Sequence, residues 1–187
     1  AREDEQADER AIEAASPVPQ RGRVLVVLET GKRSLAPDRR RALLTLLATQ
    51  VSGLGKLTAV DPFLAEDMLR GQASIDRALL KTDPAYVLRL SPAGEGEWSL
   101  SFAGVKGREW RVEQALDGVS VERVGNGVEN LLSRAARRME LPGYETVQVS
   151  GSAGFWSELG RALRAERAGH FAEAARILGE WSETSED

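Results

Sequence analysis

The sequence predicts an α/β (α+β) fold, in which a mixed sheet is packed with helices and followed by a C-terminal helical hairpin. Three patterns support this prediction. The early segment RVLVVLE is apolar at nearly every position, which indicates a strand buried on both faces. The segment EWSLSFAG alternates apolar and polar residues, as a strand with one solvated face does. Other stretches repeat leucine and alanine at helical spacing.

Composition limits the classes of function that the chain can have. Its 187 residues are enough to bury a core, and 42% hydrophobic with 29% charged residues is typical of a folded globular protein. A net charge of -4 gives no electrostatic reason to expect nucleic acid as a partner. No stretch reaches the roughly 20 apolar residues of a membrane span, so we expect no membrane insertion. Zero cysteines exclude disulfides and thiolate catalysis.

The chain divides into three predicted parts. Residues 1–21 are an acidic helix or linker, 22–143 an α/β domain, and 144–187 a helical hairpin with an acidic tail. The chain begins at Ala1 rather than at a methionine. We expect this start to reflect a removed upstream segment, such as a signal peptide, a lipid anchor, a membrane helix or a larger domain.

The first half of the predicted domain alternates strands with helices. After RVLVVLE (Arg23 to Glu29), Pro37 opens the helix that contains RRRALLTLLATQV. A short strand, LTAVDP, follows it. Two short helices come next, FLAEDMLRG and SIDRALLKTD, and Ser74 is the expected N-cap of the second. The third strand is AYVLRL, from Ala85 to Leu90.

The second half is predicted to close the sheet with antiparallel strands. EWSLSFAG and REWRVEQA form a hairpin through the turn VKG, so the sheet should be mixed. A helix, NGVENLLSRAARRME, follows and ends before Pro142 and Gly143, and YETVQVSG is either a last short strand or an extended linker. The final helices, FWSELGRALRAERAG and FAEAARILGEWSE, meet at Gly169 and His170.

His170 is the single histidine, and it is the natural first candidate for catalysis. A serine triad needs a general base, but the sequence has no G-x-S-x-G elbow to go with one. The spacings H-x-x-x-H and D-x-D-x-D, which favour a metal site, do not occur either. We therefore interpret His170 as a turn residue between two helices, and we expect no catalytic residue, no cofactor and no metal.

The loop after the first strand carries the alternative hypothesis of a ligand site. Its GKRS stretch lacks the glycine five residues earlier and the hydroxyl after lysine that a P-loop requires. Ligands of α/β sheets nevertheless bind at the carboxyl ends of strands. Under this alternative, Glu29, Lys32 and Arg33 would line a small-ligand or nucleotide site.

Charged side chains elsewhere are interpreted as surface residues. Glu66 and Asp67 are adjacent on a short helix and point about 100° apart, so they do not converge on a substrate. Arginines 161, 164, 167 and 176 in the last two helices lie near glutamates 158, 166, 173 and 180. We predict mutual pairing of these charges.

The last segment also holds the candidate partner-binding residues, Trp156, Arg164, Phe171 and Trp181. Exposed aromatic residues and arginines are enriched among the residues that dominate binding at protein interfaces. The competing interpretation is that the two tryptophans close a small helix–helix core.

Two family resemblances emerge from these segments. From Arg23 to about Met139 the chain resembles the TolB N-terminal-like α/β fold, which recurs in envelope lipoproteins related to LpoB and in bacterial signalling proteins. The matching features, in order, are RVLVVLE, RRALLTLLATQVSGLGKLTAVDP, DPAYVLRLSPAGEGEWSLSFAG, REWRVEQALDG and NGVENLLSRAARRM.

The segment FWSELGRALRAERAGHFAEAARIL resembles one tetratricopeptide helix hairpin. Leu159-Gly160 and Ala162 match its first helix, and Gly169, Phe171 and Ala174 match its turn and second helix. A single repeat cannot bury its own face. The hairpin must therefore dock on the α/β domain, pair with another chain or continue in further repeats.

The resemblances imply a non-catalytic protein-interaction or sensor module of the bacterial cell envelope or of a larger signalling protein. They imply a protein partner and a periplasmic or otherwise extracytoplasmic location, with a cytoplasmic one as the alternative. A homo-oligomer formed through the terminal hairpin is a further hypothesis.

Overall fold

A mixed sheet runs through the chain in the computed structural model, which describes residues 22–31, 35–51, 57–70, 75–105, 110–139 and 151–184. Within these residues the sheet has five strands in the order β2-β1-β3-β4-β5. The strands are β1 (Gly22–Leu28), β2 (Leu57–Ala59), β3 (Tyr86–Pro92), β4 (Glu97–Gly104) and β5 (Arg111–Asp117). Strand β1 is parallel to β2 and β3, whereas β4 is antiparallel to both β3 and β5. The predicted mixed α/β sheet is confirmed.

Six helices accompany the sheet in the described residues. They are α1 (Pro37–Val51), α2 (Pro62–Arg70), α3 (Ile75–Thr82), α4 (Val121–Arg138), α5 (Ala153–Arg167) and α6 (Phe171–Thr184). The connection after β1 leads to β2, its neighbour on one side in the sheet. The connection after β2 leads back past β1 to β3, the neighbour of β1 on the other side. Because such crossovers are right-handed, their helices lie on opposite faces of the sheet.

Strand β1 has side chains in two separate cores, as its unbroken apolar run predicts. Its even-numbered residues Val24, Val26 and Leu28 pack into a large core with residues of α1 and α4. Its odd-numbered residues, Leu25 and Val27, pack with residues of α2 and α3 in a smaller core. Because side chains alternate between the two faces of an extended strand, β1 contributes residues to both cores.

The period-2 pattern of β4 is also confirmed. Trp98, Leu100 and Phe102 are buried on the face that carries the large core. The Phe102 ring stacks on Tyr86 of β3 with a centroid separation of 5.5 Å, and Trp110 lies 5.7 Å from Phe102. These aromatic contacts across neighbouring strands fix the register of the antiparallel half of the sheet.

Helix α4 begins five residues before the predicted start at Asn126. Ser120 is its N-cap, and the Ser120 hydroxyl accepts a hydrogen bond from the backbone N–H of Arg123 at 3.2 Å. The first turns contain two glycines, which lower helical propensity. At Gly127 a Cβ would lie 2.5 Å from Leu116 Cδ2 of β5, so glycine lets the helix pack here without displacing the leucine side chain. Tertiary packing against the sheet therefore overrides the local signal.

The joint between α5 and α6 lies where the sequence predicts it. Gly169 has φ +80°, the left-handed conformation that glycine adopts without steric cost. The His170 N–H donates to Ala165 O and the Gly169 N–H donates to Glu166 O, both at 2.9 Å. This pair of bonds is a Schellman cap, so the predicted position of His170 at the turn between the two helices is confirmed, and its side chain is exposed.

The hairpin docks on the α/β part of the chain through α5. Trp156 of α5 belongs to the same large core as β1 and α1. At Gly160 a Cβ would lie 2.8 Å from Arg41 Cγ and would also meet Thr45 Oγ1, so glycine permits the close approach of α5 to α1. Arg41 Nη1 also donates to Ser157 Oγ at 3.3 Å. Of the three alternatives for the hairpin, the structure shows docking.

Several predicted features lie outside the described residues. They are the segment 1–21, the Ser74 cap, most of the VKG turn, the Pro142–Gly143 stop, most of YETVQVSG and the end of the acidic tail.

We expect Gly160→Ala to lower the free energy of unfolding by about 1–3 kcal/mol, because the added methyl overpacks the contact between α5 and α1. The matched control is Gly179→Ala in α6, where an added Cβ meets nothing within 4 Å. That change should stabilise the protein by about 0.5–1 kcal/mol through helix propensity. Urea unfolding of both variants measures the difference, and equal effects of the two substitutions would contradict the described docking.

Candidate functional site

The carboxyl ends of β1 and β3 form the position at which sheets of this topology bind ligands. The chain leaves β1 in opposite directions for β2 and β3, which makes this edge the topological switch point. Glu29 follows β1, and its carboxylate is 2.5 Å from Arg89 Nη2 of β3. The Glu29 N–H donates to Leu90 O at 2.9 Å. The one residue of the alternative site that the structure describes is therefore held against β3.

A second ion pair crosses the same edge. Arg40, in the first turn of α1, pairs through Nε with Glu66 of α2, and Arg40 Nη2 is 3.5 Å from Leu28 O at the end of β1. The pair joins helices that pack on opposite faces of the sheet. The Glu66 side chain is only 6% exposed, so the prediction of a surface carboxylate was wrong for Glu66. Burial of this carboxylate depends on its arginine partner, which lies in a different helix and leaves no local sequence signal.

These contacts show what the edge can do chemically. At this edge the carboxylates of Glu29 and Glu66 each have an arginine partner, so the described residues bring paired charges together here. Lys32 and Arg33 of the alternative site lie outside the described residues. Among the residues described, no group of three or more side chains could hold a metal ion.

We expect Glu66→Leu to lower the free energy of unfolding by about 3–5 kcal/mol, because it leaves the Arg40 guanidinium largely buried without its carboxylate. The double variant Arg40→Met/Glu66→Leu should lose less, since no buried charge remains. Chemical denaturation of the single and double variants tests this order. Arg123→Met, which breaks an exposed pair with Asp117, is the control and should cost under about 1 kcal/mol. If the double variant were less stable than Glu66→Leu alone, the loss in the single variant would not come from an unpaired, buried Arg40 guanidinium.

A depression of about 540 Å³ lies beside β4 and β5, and its lining includes the carboxylates of Glu97, Glu113 and Asp117. Glu113 pairs with Arg111, and Asp117 is 3.1 Å from Arg123. The arginine partners balance the charges of Glu113 and Asp117, so these two carboxylates give no reason to assign a cation site here.

The arginines of the hairpin divide into two groups. Arg161 pairs with Glu158 at 2.8 Å within α5, and Arg176 pairs with Glu173 and Glu180 within α6, as predicted. Arg164 and Arg167 do not pair with glutamates of the hairpin in the described contacts. Arg164 instead contacts Asp67, which lies within α2, and Arg167 contacts Asp61, which directly precedes α2.

These two longer-range pairs hold the C-terminal half of α5. Arg164 Nη2 is 3.2 Å from Asp67 Oδ2, and its guanidinium lies 5.8 Å from the centroid of the Phe63 ring. Arg167 pairs with Asp61, which directly precedes α2. Salt screens such half-exposed pairs, so we expect each of them to contribute little to the stability of the docked hairpin.

In α6 the ion pairs shift the pKa values of two groups. The hydrogen bond from Arg176 lowers the pKa of the Glu173 carboxyl below its ordinary value, and the hydrogen bonds to Glu173 and Glu180 raise the pKa of the Arg176 guanidinium. A lowered carboxyl pKa contributes stability above the pKa of the unfolded chain, and that contribution is lost as pH falls through the lower folded value. Glu173 is exposed, so the effect on the hairpin should be small and should depend on salt.

Three of the four predicted partner-binding residues have described side chains, and each lies in a different environment. Trp156 is only 5% exposed and lies in the large core rather than in a small core between the two hairpin helices. Arg164 is bonded to Asp67. Phe171 is 68% exposed at the start of α6. The side chain of Trp181 lies outside the described residues.

The hairpin exposes a second large apolar side chain, which was not predicted from the sequence. Leu178 is 49% exposed and follows Phe171 by seven residues, so both lie on one side of α6. Ala175 is exposed between them. The i, i+4, i+7 spacing is visible in the sequence. It was missed because FAEAARIL contains a second apolar set, Ala174 and Ile177, that packs inward.

No protein-family model matches the chain, and searches of curated proteins and of solved structures return no match. The TolB-like and tetratricopeptide-like assignments therefore stay predictions. Within the described residues, no helix has both the length and the apolar character needed to cross a bilayer.

Proposed function

We propose that this chain is a non-catalytic protein-interaction or sensor module that contacts its partner through the α6 face, defined as Phe171, Ala175 and Leu178. The exposure of two large apolar side chains on one side of the terminal helix is the observation that carries the proposal. Helix α5 packs against the neighbouring side of α6, through which Ala174 and Ile177 are buried.

The chemistry of the α6 face indicates the kind of partner. Its apolar residues recur at helical spacing, which suits an amphipathic helix laid alongside α6. An aromatic residue beside aliphatic ones is typical of the centre of a protein interface. Three charged residues of α6, Glu173, Arg176 and Glu180, pair with one another beside this face.

The wider setting rests on the resemblances. A tetratricopeptide-like hairpin behind a TolB-like domain implies a role in the bacterial cell envelope or in a larger signalling protein. On that basis we propose that the protein has an extracytoplasmic location and binds a protein partner.

The test is zero-length crosslinking in the cells that produce the protein, with Phe171→Asp/Leu178→Asp as the variant. We expect the crosslinked product of the native chain to disappear in this variant, because a charge in an apolar interface is costly to desolvate. Leu80→Asp is the matched control, since Leu80 is an 84% exposed leucine on α3, away from the hairpin.

A product that persists in the variant, or that disappears equally in the control, would contradict the role of the α6 face. If the product consists of two copies of this chain, the partner is a second copy and the hypothesis of a homo-oligomer replaces that of a different partner.

The topology supports a second candidate function, a small-ligand or nucleotide-binding domain at the carboxyl end of β1. Bound nucleotide would raise the melting temperature by mass action. Thermal-shift measurements with millimolar ATP and GTP test this alternative, with Glu29→Gln as the variant. No shift in the native chain would eliminate it.

A further inference from the structure

A cavity of about 260 Å³ lies where the hairpin docks on the α/β part of the chain. Four elements surround it: α1, β2, the start of α2 and the C-terminal half of α5. Its lining residues are Thr45, Ala48, Thr49, Thr58, Ala59, Pro62, Phe63, Leu163 and Arg167. Boundaries of this kind, between separately packed parts of a chain, are preferred places for small-molecule sites.

The walls of this cavity are mainly apolar. Ala48, Ala59, Pro62, Phe63 and Leu163 contribute carbon surface, and Phe63 is buried. The volume is just below the range of about 300–1,000 Å³ that drug-sized ligands occupy. A single ring or a short branched chain is therefore the size of body that the cavity fits.

The polar groups of the lining determine the charge that the ligand should carry. Arg167 is a cation, and the described lining contains no carboxylate. The hydroxyl of Thr45 donates to Arg41 O at 2.9 Å and that of Thr49 donates to Thr45 O at 2.8 Å, so neither proton is free for a ligand. Thr58 contributes a further hydroxyl, and the guanidinium of Arg167 is the charged donor of the described lining that an anionic group can bind.

Arg167 can be released from its present partner at limited cost. Its partner Asp61 also accepts hydrogen bonds from the N–H groups of Phe63 at 2.9 Å and Leu64 at 3.3 Å. Asp61 therefore caps the N-terminus of α2 whether or not Arg167 is bound to it. A ligand carboxylate could take the place of Asp61 at Arg167 without leaving an unsatisfied acid behind.

We propose that this cavity binds a small apolar monocarboxylate, with its ring or branched chain between Phe63 and Leu163 and its carboxylate on Arg167. Such a ligand contacts α5 together with α1, β2 and α2, so it tightens the docking of the hairpin. This site is separate from the α6 face, and either proposal can fail without the other.

The test is titration of the isotope-labelled protein with 3-phenylpropanoate and with its neutral amide, followed by amide NMR. We expect saturable shifts at Thr49, Thr58 and Leu163 with the acid at millimolar concentration, and at least about tenfold weaker binding of the amide. Equal binding of acid and amide, or shifts confined to other parts of the chain, would overturn the proposal.

Two charge variants separate binding from folding. Arg167→Gln should weaken binding of the acid by about tenfold, whereas Arg161→Gln, also on α5 but outside the lining, should not change it. Asp61→Asn keeps a side chain that can cap α2 and removes the carboxylate that competes with the ligand for Arg167. This variant should therefore bind the acid several-fold more strongly. Unchanged affinity in both Arg167→Gln and Asp61→Asn would refute the role of Arg167.

A third variant fills the space. Ala48→Leu places a larger side chain in the cavity and should abolish the shifts while the fold is retained. Ala172→Leu, on the exposed surface of α6, is its control and should bind normally. Binding that survives Ala48→Leu would place the ligand elsewhere and overturn the proposal.

Discussion

Strand β1 supplies Val24, Val26 and Leu28 to one core and Leu25 and Val27 to the other, and this two-sided burial constrains the rest of the architecture. An apolar strand of this kind needs helices on both faces. The chain provides them by crossing to β2 over one face and returning to β3 over the other. The Arg40–Glu66 pair then joins the two helical layers at the end of the same strand.

The hairpin extends this arrangement instead of standing apart from it. Trp156 enters the large core, and Gly160 lets α5 lie directly against α1. The weaker contacts of Arg164 and Arg167 hold the other half of α5 over a cavity. One helix is thus tightly packed at its beginning and loosely packed toward its end, which is why the cavity is found there.

Local patterns in the sequence predicted most of the helices and strands, because burial of one or two faces of an element gives its apolar residues a recognisable spacing. The alternation in β4 and the Gly169 stop are examples. Pairings between distant segments were not predictable in this way. Glu66 looked like surface charge because its partner Arg40 is 26 residues away. Of the predicted partner-binding residues, Phe171 is exposed and Trp156 lies inside the core, whereas the exposed Leu178 was not predicted.

The position of α6 has a consequence for the dynamics of the chain. Helix α6 packs on α5 outside the large core, and its inward residues Ala174 and Ile177 belong to neither of the two cores. Such a segment can open in a local unfolding event of low free energy while the sheet stays intact. A partner that binds the α6 face would suppress that opening, so recognition and ordering of the terminal helix would be thermodynamically linked.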